Sequence, residues 1–319
     1  MMKIGFHSYQ LCERGTEVAL FDYAYYNQEI LNNESVIICN AHSDLSTLDK
    51  FKFKFEVFLY NEFREVVEYI DKNQIDAIYY IKAGMNDGKI VPNAKNLVHS
   101  VFQLHQPHGQ VYAYVSDWLS KRMSNGNLPY VPHIVDIIKH DHNQDYREYL
   151  SIPKSANVFG YYGGPDSFNI PFARQAVVDA AKTNPNMYFL FMNSDQFCDE
   201  PNVFFLEGTS DYHKKIGFIN TCDACIHARN GGESFGLTIG EFSSKNKPVI
   251  TTTWCDSGLN DLAHIDMLGD KSIMYNNYDE LIGILKNFND IKDINKDWNA
   301  YNMYSPELVM NQFKHVFLS

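Results

Sequence analysis

Positive charge is what this sequence most lacks. Lys and Arg number 27 against 39 Asp and Glu, a formal net charge of −12, and no run of basic residues interrupts the deficit. A nucleic-acid partner, which requires a basic face to neutralise phosphates, is therefore not expected. A polyphosphate ligand would have to be held by a few local groups and by helix ends. No segment approaches the ~20 apolar residues of a membrane span. Residues 1–6 lack the long apolar core of a secretion signal and run straight into a strand, which points to a cytoplasmic location. The first strand is followed by no G-x-G-x-x-G, which argues against a nicotinamide dehydrogenase. No DxD-type acidic cluster calls for a metal. The six cysteines are scattered; Cys222 and Cys225 form a CxxC, but neither a second pair nor a nearby His pair completes a zinc site. They read as small buried thiols of a reducing compartment.

What is present suits a globular α/β chain. The 319 residues are a natural length for two domains of about 150 residues each, and 45% of them are hydrophobic. Apolar runs at residues 3–7, 35–39, 53–59 and 75–82 read as strands, separated by amphipathic patterns at 16–32 and 62–72. Further strands are expected at 97–102 and 111–116, a short helix at 117–123, and an extended stretch at 130–137. The polar segment 141–152, followed by Pro153, is the expected domain boundary. The alternation then restarts, with strands at 158–162, 188–192, 203–206, 224–228 and 248–252 and helices at 171–182, near 213–220 and after 234. Strands alternating with helices predict two parallel, doubly wound sheets, over residues 1–152 and 153–298, with a helical segment at 299–319.

The most informative stretch is 202–253. It reads as strand, Gly-Thr turn (Gly208, Thr209), helix, strand ending at Arg229, glycine loop Asn230-Gly231-Gly232, Glu233, then a helix opening near Ser234 or Phe235. A helix start preceded by glycines lets backbone N–H groups approach an anion, and the dipole favours negative charge there. Ser234 could cap that end or donate to a ligand. On one helix, Glu233 and Glu241 would be separated by ~12 Å of rise. Paired carboxylate oxygens accept vicinal hydroxyls well, so the two acids suit a ligand with a sugar on each side of a diphosphate.

The order Gly-Thr-Ser-Asp turn, helix, strand, Glu233-Ser-Phe-Gly-Leu, seven intervening residues, Glu241, then Lys-Pro-Val-Ile resembles the donor-binding half of the group 1 (family four) retaining glycosyltransferases. That resemblance implies the GT-B fold, two Rossmann-like domains facing a central cleft. It implies that Glu233 lies by the transferred sugar and Glu241 holds the nucleotide ribose. The backbone of Phe235, Gly236 and Leu237 would meet the diphosphate, with Gly208 and Thr209 near the base. The implied reaction is metal-independent transfer from a nucleoside-diphosphate sugar, of UDP or GDP type, to a glycan, lipid-linked or protein acceptor, with no further cofactor. A degenerate nucleotide-sugar binder and a GT-B sugar-nucleotide epimerase are the alternatives.

Weaker matches complete the set. Gly15 sits at the first strand-to-helix turn, where the family places glycines near the donor phosphate; the other reading is an ordinary turn. Gly163 and Gly164 form the first turn of the second half. The family's Arg and Lys after that turn are missing here, and no basic residue follows until Arg174. Arg229, whose guanidinium fork suits phosphate, is the preferred substitute, with Lys215 as the alternative. One of His105 and His108, preferably His108, is a candidate to face the donor sugar or shuttle a proton; the other reading is an exposed loop histidine. The resemblance also implies that the C-terminal helix packs back on the first domain.

Overall fold

The computed structural model describes residues 1–137 and 141–319, which form two compact units, Met1–Ile134 with Met303–Ser319, and Val135–Asn302. The first unit runs β1 (Lys3–Ser8), α1 (Gly15–Glu29), β2 (Glu34–Asn40), α2 (Leu48–Lys54), β3 (Glu56–Tyr60), α3 (Phe63–Lys72), β4 (Ala77–Lys82), β5 (Lys95–Ser100), β6 (Val111–Tyr114) and α4 (Asp117–Ser124). All six strands are parallel, in the order β3-β2-β1-β4-β5-β6. Strands such as β4, AIYYIK, are buried along their whole length, as a sheet covered on both faces requires. Helix starts are marked chemically: a reciprocal Glu62–Glu65 capping box opens α3, and the Ser116 hydroxyl caps α4.

In the second unit come β7 (Asn157–Tyr162), α5 (Pro171–Thr183), β8 (Met187–Met192), β9 (Val203–Leu206), α6 (Tyr212–Thr221), β10 (Ala224–Ile226), β11 (Gly232–Glu233), α7 (Leu237–Ser244), β12 (Val249–Thr251), β13 (Asp261–Leu262), α8 (Ala263–Leu268), β14 (Ser272–Met274), α9 (Tyr278–Lys286) and α10 (Phe288–Ile291). Its parallel sheet has the order β14-β12-β10-β7-β8-β9, and β11 pairs with β13 in a separate two-residue ladder. The core between this sheet and α5, α9 and α10 is built from Phe159, Phe189, Ile226, Val177 and Phe288, all fully buried.

Two segments fall where long-range contacts put them. Residues 141–152, read from sequence as the end of the first domain, belong to the second unit. The Tyr146 N–H donates to the Thr221 hydroxyl at 2.7 Å, and Arg147 pairs with Asp223 at 2.9 Å, so the chain is tied to α6 and the start of β10. The last helix, α11 (Pro306–Phe313), belongs to the first unit. There the Phe313 ring lies 5.4 Å from Tyr23 and 5.5 Å from Tyr79. Burying an aromatic side chain of this size contributes about 1.5–3 kcal/mol.

In open α/β sheets, ligands bind beyond the carboxyl ends of the strands, where successive connections leave in opposite directions. In the second unit that point lies between β7 and β10. The chain moves outward from β7 through β8 to β9, then returns by α6 to β10 on the other side. The residues the sequence singled out between Gly163 and Glu241 lie in loops, on helices or on the short strand β11 around this unit's sheet.

Candidate active site

Gly236 has φ +83°, a left-handed conformation that breaks the chain between Glu233 and the helix. The structure therefore corrects the expected helix start: α7 begins at Leu237, Ser234 does not cap it, and Glu233 is on β11 rather than on the helix. No side chain caps α7 and no acid lies in its first turn. By contrast Asp211 caps α6 and Asn277 caps α9. The start of α7 thus keeps uncapped N–H donors and an unopposed dipole. Its position is fixed: the Thr238 hydroxyl donates to the Tyr162 carbonyl at 2.8 Å, and the Tyr301 hydroxyl donates to the Phe235 carbonyl at 3.0 Å. The Phe235 ring is buried edge-on against Tyr301 and serves as an anchor.

The glycine loop is consumed by its own hydrogen bonds. The Asn230 N–H donates to Asn169 Oδ1 and the Gly232 N–H to the Arg229 carbonyl. Gly232 has φ +66°, and a Cβ there would lie 2.0 Å from the Asp261 carbonyl oxygen. Gly232→Ala is expected to break the β11–β13 ladder that presents Glu233. Loss of donor-dependent thermal stabilisation in a protein with native circular dichroism would show it; an unchanged shift would refute it.

Each glutamate is paired with a cation. Glu233 accepts from Arg229 Nη1 at 2.7 Å and lies 3.5 Å from His227 Nε2, with 18% of its side chain exposed. Burial alone would raise its pKa, but the Arg229 charge, with His227 and His264, holds it at about 2. The carboxylate is thus ionised and cannot act as a general acid near neutral pH. His264 is fully buried, its ring 5.0 Å from that of His227, and burial lowers its pKa to about 3. Because the folded pKa of Glu233 lies below the ordinary 4.5, the pair stabilises the protein above that value. The contribution is lost as pH falls toward 2. Arg229→Gln is expected to flatten this acid-side loss in stability measured by denaturant titration; an identical slope in both proteins would contradict the assignment.

Glu241 is 4% exposed and accepts from Lys215 Nζ at 3.0 Å and from the Tyr162 hydroxyl. Both substitutes considered for the missing phosphate clamp, Arg229 and Lys215, are therefore bound to the two glutamates. Arg174 donates to the Phe168 carbonyl at 2.6 Å and stacks over Phe197, away from either glutamate's ion pair. Gly163 is tightly enclosed, a Cβ there meeting Ser167 Oγ at 2.5 Å, and Asn193 donates to its carbonyl at 2.6 Å. The Gly164 carbonyl accepts from Ser167. Gly208 and Thr209 line a pocket of about 170 Å³ with Tyr146, Tyr149, Met192 and Leu206. That is less than the 300 Å³ or more that encloses a drug-sized ligand, and leaves room for one ring system of a larger molecule.

The first unit places its candidates differently. Gly15 is the first residue of α1 and has no positive φ. The buried Glu17 carboxylate, accepting from Ser8, Thr16 and Cys12, already occupies that helix mouth. A phosphate there would have to displace that side chain from its donors. His108 Nε2 lies 3.0 Å from the buried Lys82 ammonium, which can only donate, so the ring proton is on Nδ1 facing the Gln106 carbonyl at 2.7 Å. Both nitrogens of His108 are engaged. Lys82 also pairs with Asp87 at 2.8 Å. His105 Nδ1 meets the Tyr114 hydroxyl at 2.5 Å.

Tyr162, His227, His264 and the tyrosines of the pocket were not legible as site residues. Tyr162 is 79 positions from the acid it binds, and no local spacing signals that contact. Among the described residues, no helix is long and apolar enough to cross a membrane, and no group of three or more His, Cys, Asp or Glu is arranged to hold a metal ion.

No family model matches the chain, and no curated protein matches it in sequence. Solved structures do match in fold. HepE from Anabaena, in complex with UDP and glucose, superposes with a TM-score of 0.72 at 15% identity, covering 100% of both chains. A glycosyltransferase from Rickettsia africae gives 0.67 at 15% identity, covering 99% of this chain and 94% of the other. A Listeria monocytogenes protein named as a UDP-N-acetylglucosamine 2-epimerase gives 0.64 at 11% identity, over 100% and 97%. With its two six-stranded parallel sheets and flanking helices, this chain has the GT-B fold.

Proposed function

We propose that the protein is a glycosyltransferase that takes a sugar from a nucleoside-diphosphate donor held along the carboxyl edge of the second sheet. The observation that carries this reading is the order of chemistry along that edge. Beyond β10 lie Arg229 and Glu233; beside β7 lie the uncapped start of α7 and the buried Glu241; beyond β8 and β9 lies the Gly208–Thr209 pocket. Strands are ~4.8 Å apart, so the edge from β10 to β9 spans ~14 Å. Sugar, diphosphate, ribose and base follow one another in the same order in a nucleotide sugar.

Each group then has a role its chemistry permits. Glu233, ionised and fixed by Arg229, accepts hydroxyls of the transferred sugar. The guanidinium has donors beyond the one used on Glu233 and can share itself with the diphosphate. The N–H groups of Gly236 and Leu237 add the helix dipole. Together they stabilise the negative charge that develops on the leaving diphosphate as the anomeric bond breaks. Glu241, oriented by Lys215 and Tyr162, accepts the ribose hydroxyls. The reaction is retaining, and the acceptor is the group that attacks from the side of the leaving phosphate. His108, with both nitrogens engaged, has no proton-transfer role in this reading.

Incubation with nucleotide sugars tests it: a transferase releases nucleoside diphosphate and does so faster when an acceptor is supplied. Nucleotide binding without release would leave only a binder, and a donor converted to its epimer without loss of nucleotide would mark an epimerase.

A further inference from the structure

The pocket beside β9 carries a pair of charges that the proposed reaction does not use. Glu207 and Lys214 both line it, together with Tyr149, Met192 and Leu206. Both side chains are exposed, and among the described residues they form no ion pair with each other or with any other group. Two opposite charges on residues that line one small pocket, and that do not close on each other, leave room for a ligand edge between them. Tyr149 is 84% exposed at the same pocket and offers a face for stacking.

We propose that this pocket selects guanine, so that the donor is a GDP-sugar; the inference rests on the reading that this edge binds a nucleotide. An ionised carboxylate only accepts, through two oxygens side by side, and an ammonium only donates. The ligand edge that satisfies both must present an acceptor followed by two adjacent donors. Guanine does, with O6 toward Lys214 and N1–H and N2–H toward Glu207. Uracil presents acceptor, donor, acceptor, so its O2 is driven against the carboxylate. Adenine places its N1 lone pair there, and cytosine has two acceptors in a row. Of the common bases, guanine alone offers paired donors to a carboxylate.

Calorimetric titration of the full chain with GDP, IDP, UDP and ADP tests the proposal. A bidentate pair of this kind discriminates by roughly ten- to a hundred-fold. GDP is therefore expected to bind at least tenfold more tightly than UDP or ADP. IDP lacks the N2 amino group and loses one of the two bonds to Glu207, so it falls between. In Glu207→Gln the GDP preference over IDP disappears and UDP binds more tightly than to the parent, because the amide accepts from N3–H and can donate to O2. Glu207 is exposed, so the variant keeps its fold, and IDP tests the same bond without any substitution. UDP or ADP binding as tightly as GDP overturns the guanine assignment and leaves the nucleotide site standing. An unchanged GDP-to-IDP ratio in Glu207→Gln overturns the role of Glu207. Failure of all four nucleotides to bind overturns both this inference and the reading of the edge.

Discussion

Lys215→Met is expected to destabilise the second unit by about 3–5 kcal/mol, the cost of removing one partner from a buried ion pair. Both side chains qualify, with 11% of Lys215 and 5% of Glu241 exposed. Without the ammonium, Glu241 keeps only the Tyr162 hydroxyl and must either hold a buried, uncompensated charge or take up a proton. A loss of this size lowers a melting transition in a unit of this length by roughly 6–20 °C. The double variant Lys215→Met, Glu241→Gln removes the stranded charge and should recover most of the stability, since a buried pair is often worth no more than a neutral replacement. It should not recover nucleotide affinity, because the ribose loses its ionised acceptor. Recovery of both would make the pair purely structural. A melting point unmoved by Lys215→Met would show that the pair is not formed.

The second large effect is on turnover. Glu233→Gln is expected to lower kcat by about 10²–10³, the usual cost of losing one preorganised electrostatic contact at a reacting centre. Its effect on stability is small by comparison, because the Arg229 left behind is 38% exposed and water can screen it. The amide keeps the shape of the carboxylate but cannot hold Arg229 by charge or balance the positive charge that builds on the sugar. If that charge is what matters, kcat falls by much more than the affinity for nucleoside diphosphate, which in the proposed reading loses only the positioning of Arg229. Equal losses in both would place Glu233 on the nucleotide itself. Unchanged turnover would remove it from the reaction.

Local pattern made the two sheets legible. Runs such as VIIC in β2 and YFLFM in β8 can be buried on both faces, and amphipathic stretches between them can only be the covering helices. The Glu233–Glu241 spacing and the glycines before it were legible as well. What sequence could not give was the path of the chain between the two acids. Gly232 and Gly236 both take positive φ, which puts Glu233 on a two-residue strand paired with residues almost thirty positions onward. The sequence pattern puts Gly232 in a loop but starts the helix near Ser234 or Phe235, running it through Gly236. Nor could it give the partners. Lys215 is 26 residues from Glu241 and Tyr162 is 79 away. Their meeting is a property of strand order, in which β7 and β10 become neighbours only after β8 and β9 have been laid down on the other side. The segment 141–152 was misassigned for the same reason, since its hydrogen-bond partners lie about 75 residues further on.

The most direct measurement is a crystal structure at saturating nucleoside diphosphate, using whichever of GDP and UDP binds more tightly. The account predicts phosphate oxygens within hydrogen-bond distance of the backbone at Gly236 and Leu237 and of Arg229, ribose hydroxyls on Glu241, and the base in the pocket beside Gly208. A nucleotide bound away from the start of α7, with Glu233 and Glu241 still closed on Arg229 and Lys215 and touching no ligand, would contradict it.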